Sequence, residues 1–402
     1  MVMMMDSGGC CPARWLSVVD ARGQVVPSYP ATRRRCAGFG LVELMIALAL
    51  GTVLLLGITQ LFSSGSRSLG DVSAAGQNIE NATYAIDVIS SDLRLVGYWG
   101  EVLGVETTPD VLTSGEVPSG FPPAAKFPGP CLGQGDNFGT GSFSEKVELA
   151  WGMEFPLFAS RSDYSNYGAV IPCGVSGAEE PASDSEFVVV RRASTCAALD
   201  GNCTSPDSTP RFHIQTNGCY DPSGTGLVGG EIRLASVTSS DWSDSGNLEY
   251  LKYNLNGCTI SATGAAYAPI YRYVSHTYFV SSDDVLYRLA FNGAAFEVEA
   301  LVDGVEAMRF EWGRDTDGDG TVDEFKGTLA AATAGWLDEW KDVVAVKIWL
   351  LVRGGESISG FSDSNKYSLA GVPFTVAEAN KKYPRRLVTR LIELPNIAGP
   401  RR

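Results

Sequence analysis

Gly38-Phe39-Gly40-Leu41-Val42-Glu43, continued by the apolar run to Phe62, decides how the rest of this chain can be read. From Phe39 to Phe62 there are 24 residues, and Glu43 is the only ionisable one. At about 1.5 Å of rise per residue, a helix of that length crosses a hydrocarbon core of roughly 30 Å. Arg33, Arg34 and Arg35 stand just before it, so the positive end is expected to stay in the cytoplasm and the rest to be exported. Glu43 is the odd feature. A carboxylate in hydrocarbon costs about 2.5–3.5 kcal/mol on insertion scales, so it needs a partner or a task. A simple signal anchor has no reason to carry it.

Working outward, the helical period continues past Phe62. Val72, Ala75, Ile79, Ala82, Ile86, Ile89, Leu93 and Val96 recur at spacings of three and four, an apolar stripe. Arg67, Asp71, Glu80, Asp87 and Asp92 fall off it. The stripe predicts an amphipathic continuation over 63–100 that lies on a globular head, in preference to an independent coiled coil. Gly51 and Gly57 weaken the membrane half by about 1 kcal/mol each against Ala, and Gly97-Tyr98-Trp99-Gly100 ends the helix. Upstream, residues 1–38 carry Pro27, Pro30 and the arginine run, with no foldable core, and are expected to be a leader peptide that is removed.

Without residues 1–38 the chain carries 26 basic and 44 acidic residues, a net charge of −18. That argues against nucleic acid as a partner, because phosphate binding needs a basic surface. It also excludes docking by charge on an anionic membrane face. Six cysteines follow the apolar run: Cys131, Cys173, Cys196, Cys203, Cys219 and Cys258. An even number in an exported segment suits disulfides in an oxidising periplasm. Cys196 with Cys203 and Cys219 with Cys258 close the shortest loops, leaving Cys131 with Cys173. A zinc site is the weaker reading, since this part has no Cys-x-x-Cys and only His213 and His276 to add.

From residue 101 the pattern changes to short alternating segments between Gly, Pro, Ser and Asp clusters. Strands are expected at Val147–Trp151, Phe187–Val190, Met308–Trp312, Val344–Val352 and Leu387–Leu394. Thr277–Val280 and Val285–Phe291 flank Ser-Ser-Asp-Asp as a hairpin. This predicts an antiparallel sheet packed on the long helix, with 101–260 a large loop-rich insertion held by disulfides. No P-loop, Gly-x-Ser-x-Gly, dinucleotide fingerprint or His-Glu-x-x-His occurs, and the two lone histidines read as structural, so no enzyme is expected.

One loop has ligand chemistry. Asp315-Thr316-Asp317-Gly318-Asp319-Gly320-Thr321-Val322-Asp323-Glu324 places acids at alternate positions after a strand. Calcium takes six to eight oxygens at about 2.3–2.6 Å, and Asp-x-Asp-x-Asp-Gly supplies three carboxylates around a tight glycine turn. Asp315, Asp317 and Asp319, the Thr321 carbonyl, and Asp323 or Glu324 make the expected shell. The twelfth position, a bidentate Glu in an EF-hand, is Lys326, and the flanks read as strand. The competing reading is an Asp/Gly-rich turn that only joins two strands. A bound calcium would rigidify the loop and do no catalysis.

The opening stretch, Gly-Phe-x-Leu-Val-Glu before an apolar helix, resembles the class III signal of type IV prepilins. The resemblance implies cleavage between Gly38 and Phe39 by prepilin peptidase, N-methylation of Phe39, and pairing of Glu43 with the N-terminal amine of a neighbouring subunit. Physics agrees: an ammonium and a carboxylate buried together offset a desolvation that neither bears alone. Asp92-Leu93-Arg94-Leu95-Val96-Gly97-Tyr98-Trp99-Gly100, Val188-Val189-Val190-Arg191-Arg192-Ala193-Ser194, Leu301-Val302-Asp303-Gly304-Val305-Glu306 and Trp312-Gly313-Arg314-Asp315 are similar to the PilW family of minor pilins. That resemblance implies an α+β, type IV pilin-like fold: a long N-terminal helix on an antiparallel head spanning 101–402. It implies an inner-membrane protein with a periplasmic head in a Gram-negative bacterium, taken into the pilus near its tip. It implies other minor pilins, the major pilin and a tip adhesin as partners, and priming of pilus assembly as the task. A minor pseudopilin of type II secretion shares the N-terminus, and a signal-anchored periplasmic enzyme or binding protein would keep its leader.

Overall fold

The computed structural model describes residues 40–100, 102, 129–132, 144–161, 173, 180–182, 185–197, 211–216, 219–221, 226–228, 232–237, 252–253, 266–267, 269–327, 329, 336–358 and 360–399. Its first element, α1, runs unbroken from Leu41 to Leu93. The chain forms two compact units, Met1–Arg67 and Ser68–Arg402.

In the first unit, Leu41–Ser63 is long and apolar enough to cross a membrane, and none of it is buried. Its large apolar side chains, from Leu41 to Phe62, are 56–80% exposed, a surface that needs lipid or other helices around it. Thr52 and Thr59 turn their hydroxyls back onto the helix, donating to the Ala49 and Leu55 carbonyls at 2.9 Å. No polar group of theirs is left facing hydrocarbon.

In the second unit, Ala82, Ile86, Ile89, Leu93 and Val96 are buried, as the stripe predicts. Ile79 departs from it at 44% exposed, while Asn78 and Ala85 take the inner face. Positions 78, 85 and 92 join 82, 86, 89, 93 and 96 on the buried face, which is offset by a fraction of a turn to one side of the predicted stripe. That offset also carries Asp92 inside, correcting its placement off the stripe. After Leu93 the chain turns, and Gly97 at φ +71° takes the left-handed conformation that terminates the helix.

After α1 come α2 (Glu145–Glu154), β1 (Leu157–Arg161), β2 (Glu186–Ala197), β3 (Arg211–Thr216), β4 (Cys219–Asp221), β5 (Gly226–Val228), β6 (Ile232–Val237), β7 (Lys252–Tyr253) and β8 (Ala266–Tyr267). Then follow β9 (Ile270–Val280), β10 (Val285–Phe291), β11 (Phe296–Asp303), β12 (Val305–Arg314), β13 (Glu324–Lys326), α3 (Trp336–Lys341), β14 (Val343–Arg353), β15 (Tyr367–Leu369), β16 (Val372–Phe374), β17 (Arg385–Glu393) and α4 (Pro395–Ala398).

Two main antiparallel sheets, with β4–β5, β7–β8 and β15–β16 as separate two-stranded pairs, stand where one sheet was expected. The larger orders β1-β2-β9-β10-β11, with β3 on β9 and β6 on β3; the smaller orders β13-β12-β14-β17. The expected hairpin is β9–β10, with Leu286 opposite Val280 and Asp284 at φ +63° in its turn. Segment 101–260 is more than an insertion: β1, β2, β3 and β6 belong to the larger sheet. Strand β2 is buried from Glu186 to Arg191, the run of residues that parallel or central strands show. Val147–Trp151 is helical and not a strand. Ser144 caps α2, accepting from the Val147 N–H at 3.4 Å, and Val147 to Met153 are buried on every side. A helix enclosed all round has no polar face, so the chance alternation of Lys146 and Glu148 with apolar residues imitates a strand.

The sheets meet where β12 packs on β2 and β9. Over part of its free edge β12 has side chains in place of a partner strand. The Met308 N–H donates to Ser185 Oγ at 3.1 Å and the Phe310 N–H to Glu186 Oε2 at 2.9 Å. Aromatic contacts bind the layers: Trp312 to Trp340 at 4.9 Å, Trp340 to Phe158 at 5.4 Å, Phe158 to Phe187 at 5.7 Å. A disulfide joins Cys131 to Cys173, Cα atoms 5.2 Å apart. Cys196 is also disulfide-bonded. Its expected partner Cys203, Cys258, and the Cys219 side chain lie outside the described residues.

Candidate functional site

Three places carry charge with a possible task. At the N-terminal end, Glu43 lies in the first turn of α1, exposed, its N–H donating to the Gly40 carbonyl at 3.0 Å. Gly38 and Phe39 lie outside the described residues.

The second place is the Asp loop between β12 and β13. Its closure is local. The Asp323 N–H donates to the Arg314 carbonyl at 2.8 Å, and Arg314 also pairs with Glu324 at 3.0 Å. Gly318 and Gly320 sit at φ +83° and +81°, which side chains resist. Gly313 is held to glycine by packing: a Cβ there would meet Val322 at 3.0 Å and Phe325 and Ala345 at 3.1 Å. Asp315 is buried; its Oδ1 accepts from the Gly318 N–H at 2.7 Å and its Oδ2 from the Gly320 N–H at 3.0 Å. Asp323 accepts from both the hydroxyl and the N–H of Thr316 at 2.7 Å, which hold its carboxyl below the ordinary value.

Of the residues expected to ligate, the fold brings together Asp315, Asp317 and Asp323, with one oxygen of each within 4.8 Å of the others. It does not bring in the other two acids. Glu324 is turned to Arg314 and lies 3.6 Å from Lys326, and Asp319 accepts from the Thr321 N–H at 2.7 Å and its hydroxyl at 2.5 Å. The three-carboxylate set fits a calcium-sized ion. Two oxygens at 2.3–2.6 Å from one ion stand at most about 5.2 Å apart, a span that the separation of these three oxygens does not exceed.

The third place escapes sequence reasoning. Asp92, in the last turn of α1, accepts from Arg192 Nε at 2.7 Å, contacts His276 Nδ1 at 2.6 Å, and accepts from the Tyr278 hydroxyl at 3.0 Å. Burial alone would push its carboxyl up, but the hydrogen bond and charge of His276, and then Arg192, hold it well below the usual carboxylate range. Burial and the neighbouring Asp92 push the Tyr278 hydroxyl well above its ordinary value. The group ties the end of α1 to β2 and β9. Its one signal in the sequence is a carboxylate in the last helical turn, where the helix dipole disfavours it. His276 is thus a structural histidine, and His213 Nδ1 lies 2.8 Å from the Arg211 carbonyl.

Two family models match the chain: Type IV Pilus-assembly protein W over residues 277–396, and the Prokaryotic N-terminal methylation motif over residues 33–59. A type IV-like pilin from Thermus thermophilus aligns in structure at 13% identity, covering 54% of this chain and 80% of that one, with a TM-score of 0.25. No curated protein matches. The first model covers β10 to β17 and the second the opening stretch. Together they support a type IV pilus minor pilin of the PilW family, a membrane-anchored member of a pilus assembly system with other pilins. They point to a structural protein.

Proposed function

We propose that this PilW-family minor pilin helps prime type IV pilus assembly as part of a minor-pilin complex at the filament tip. The supporting observation is the pairing of Glu43 with an otherwise uncharged helix, Leu41–Ser63, that no described residue buries. Cleavage after Gly38 would create an amine at Phe39, and Glu43 of one subunit would meet the amine of the next. Two opposite charges removed from water together cost less than either alone. The head would face the periplasm of a Gram-negative cell until the subunit enters the filament beside companion minor pilins, the major pilin and a tip adhesin. Mass spectrometry of the N-terminal peptide, from membranes that contain prepilin peptidase, tests this. N-methylated Phe39 is the expected terminus; an uncut leader would overturn the reading.

The Asp loop would hold a structural calcium through Asp315, Asp317 and Asp323, fixing the turn between β12 and β13. Asp315 is a poor probe, because its carboxylate also anchors backbone N–H groups. Asp317 is exposed and accepts from the Asp319 N–H alone, at 3.2 Å. Asp317→Asn should therefore lower the melting temperature in calcium and leave it unchanged in excess chelator. At 100 times Kd the ion contributes about 2.7 kcal/mol. An equal loss under both conditions would make the loop a plain turn.

A further inference from the structure

Strands β14 and β17 pair directly, from Ala345 opposite Glu393 to Arg353 opposite Arg385, so the smaller sheet is complete without the chain between them. That chain, residues 354–384, closes on itself: the Gly354 N–H donates to the Pro384 carbonyl at 2.8 Å, Ile358 to Lys382 at 3.0 Å, and Asp363 to Lys381 at 2.7 Å. Among its described residues Leu369 is the only buried apolar side chain. Leu369 does not join the main core. With Ala307 and Leu351 it forms a separate small cluster on the outer face of β12 and β14, edged by Trp349, Tyr367, Phe374 and Leu387.

One side chain holds this loop in place. The Arg385 side chain is fully buried and uses all five of its N–H groups. Nε and Nη2 grip Glu306 at 2.6 and 2.7 Å, Nη2 also reaches the Asn380 carbonyl at 2.9 Å, and Nη1 binds Asp363 at 3.2 Å and the Tyr383 carbonyl at 2.9 Å. Glu306 belongs to β12; the other three partners belong to the loop. The Tyr367 hydroxyl adds a bond to Asp363 at 2.9 Å. On the side facing α1 the grip is poor. Asn78 is buried, its Nδ2 is 3.5 Å from the Pro384 carbonyl, and its Oδ1 has no partner among the described residues.

The geometry points to a strap: residues 354–384 open as one unit, without unfolding the sheets, when the Arg385 latch is broken. The energetic reason is separability. The main core loses nothing when Leu369 leaves its own cluster, and cooperative local opening follows contiguous units that share few contacts with the rest. Opening would bare Ala307, Leu351 and Leu387 on the outer face of the sheet, and Asn78 on the helix.

Hydrogen exchange read by mass spectrometry on the full chain in detergent micelles tests the strap. Arg385→Met should speed exchange at least tenfold across peptides of 356–382 and leave β2, β9 and β14 unchanged. Unchanged exchange in the loop, or an equal rise through the whole head, overturns the proposal. Should that variant fail to fold, Tyr367→Phe loosens the same latch. A rise of a few fold confined to 356–382 supports the strap, and no selective rise there overturns it.

Discussion

Asp92→Asn removes one charge from the group that fixes the end of α1 to the larger sheet. The Asp92, Arg192 and His276 side chains are 6%, 15% and 14% exposed, so water does little to screen the loss. The amide replaces an acceptor that serves three donors with a group that has one acceptor oxygen and two donors of its own. Arg192 is then left with a buried, uncompensated charge. Removing one partner of a buried pair costs about 3–5 kcal/mol. The unit from Ser68 to Arg402 has ~335 residues, and at about 2.1 cal/mol/K per residue its unfolding entropy is about 0.7 kcal/mol/K. The cost therefore lowers the melting temperature by roughly 4–7 °C, read by tryptophan fluorescence at pH 7. The pH dependence has a definite sign. A carboxyl held low in the folded state contributes stability above its unfolded value of about 3.9, and loses it as pH falls through the folded value. Wild type should thus lose stability below about pH 4 more steeply than the variant, and the two curves should converge in acid. A variant within 1 °C of wild type at pH 7, or a constant gap down to acid pH, would refute the reasoning.

Other substitutions test the remaining arguments. Gly313→Ala should destabilise the head by about 1–3 kcal/mol through overpacking against Val322, Phe325 and Ala345, measured by chemical denaturation. A neutral result would mean that Val322 can move aside. Ser144→Ala should cost about 0.5–1 kcal/mol, at the low end for a cap because the bond is 3.4 Å long. Glu43→Ala should leave N-terminal processing intact and reduce pilus number in a piliation count. Normal piliation would count against charge pairing.

How far the sequence reaches differs by element. Long periods are legible, because a 3.6-residue repeat or a 2-residue alternation sustained over ten positions has few other solutions. α1 and β14 are of this kind. α2 was not, because burial on all sides erases the polar face that the period depends on. Asp315, Asp317 and Asp323 were legible as a set because they are close in the chain. The exclusion of Glu324 was not, since it depends on Arg314 turning towards it across the base of the loop.

By itself the sequence determined the apolar helix with one carboxylate, its expected processing point, the antiparallel head and the acidic loop, because each is a local pattern of neighbouring residues. Only the tertiary structure decided that the head has two sheets, that Asp92 points inward to Arg192, His276 and Tyr278, and that Arg385 latches a strap. Those contacts join residues 100, 184, 186 and 79 positions apart, and no local propensity encodes which distant donor a buried carboxylate will meet.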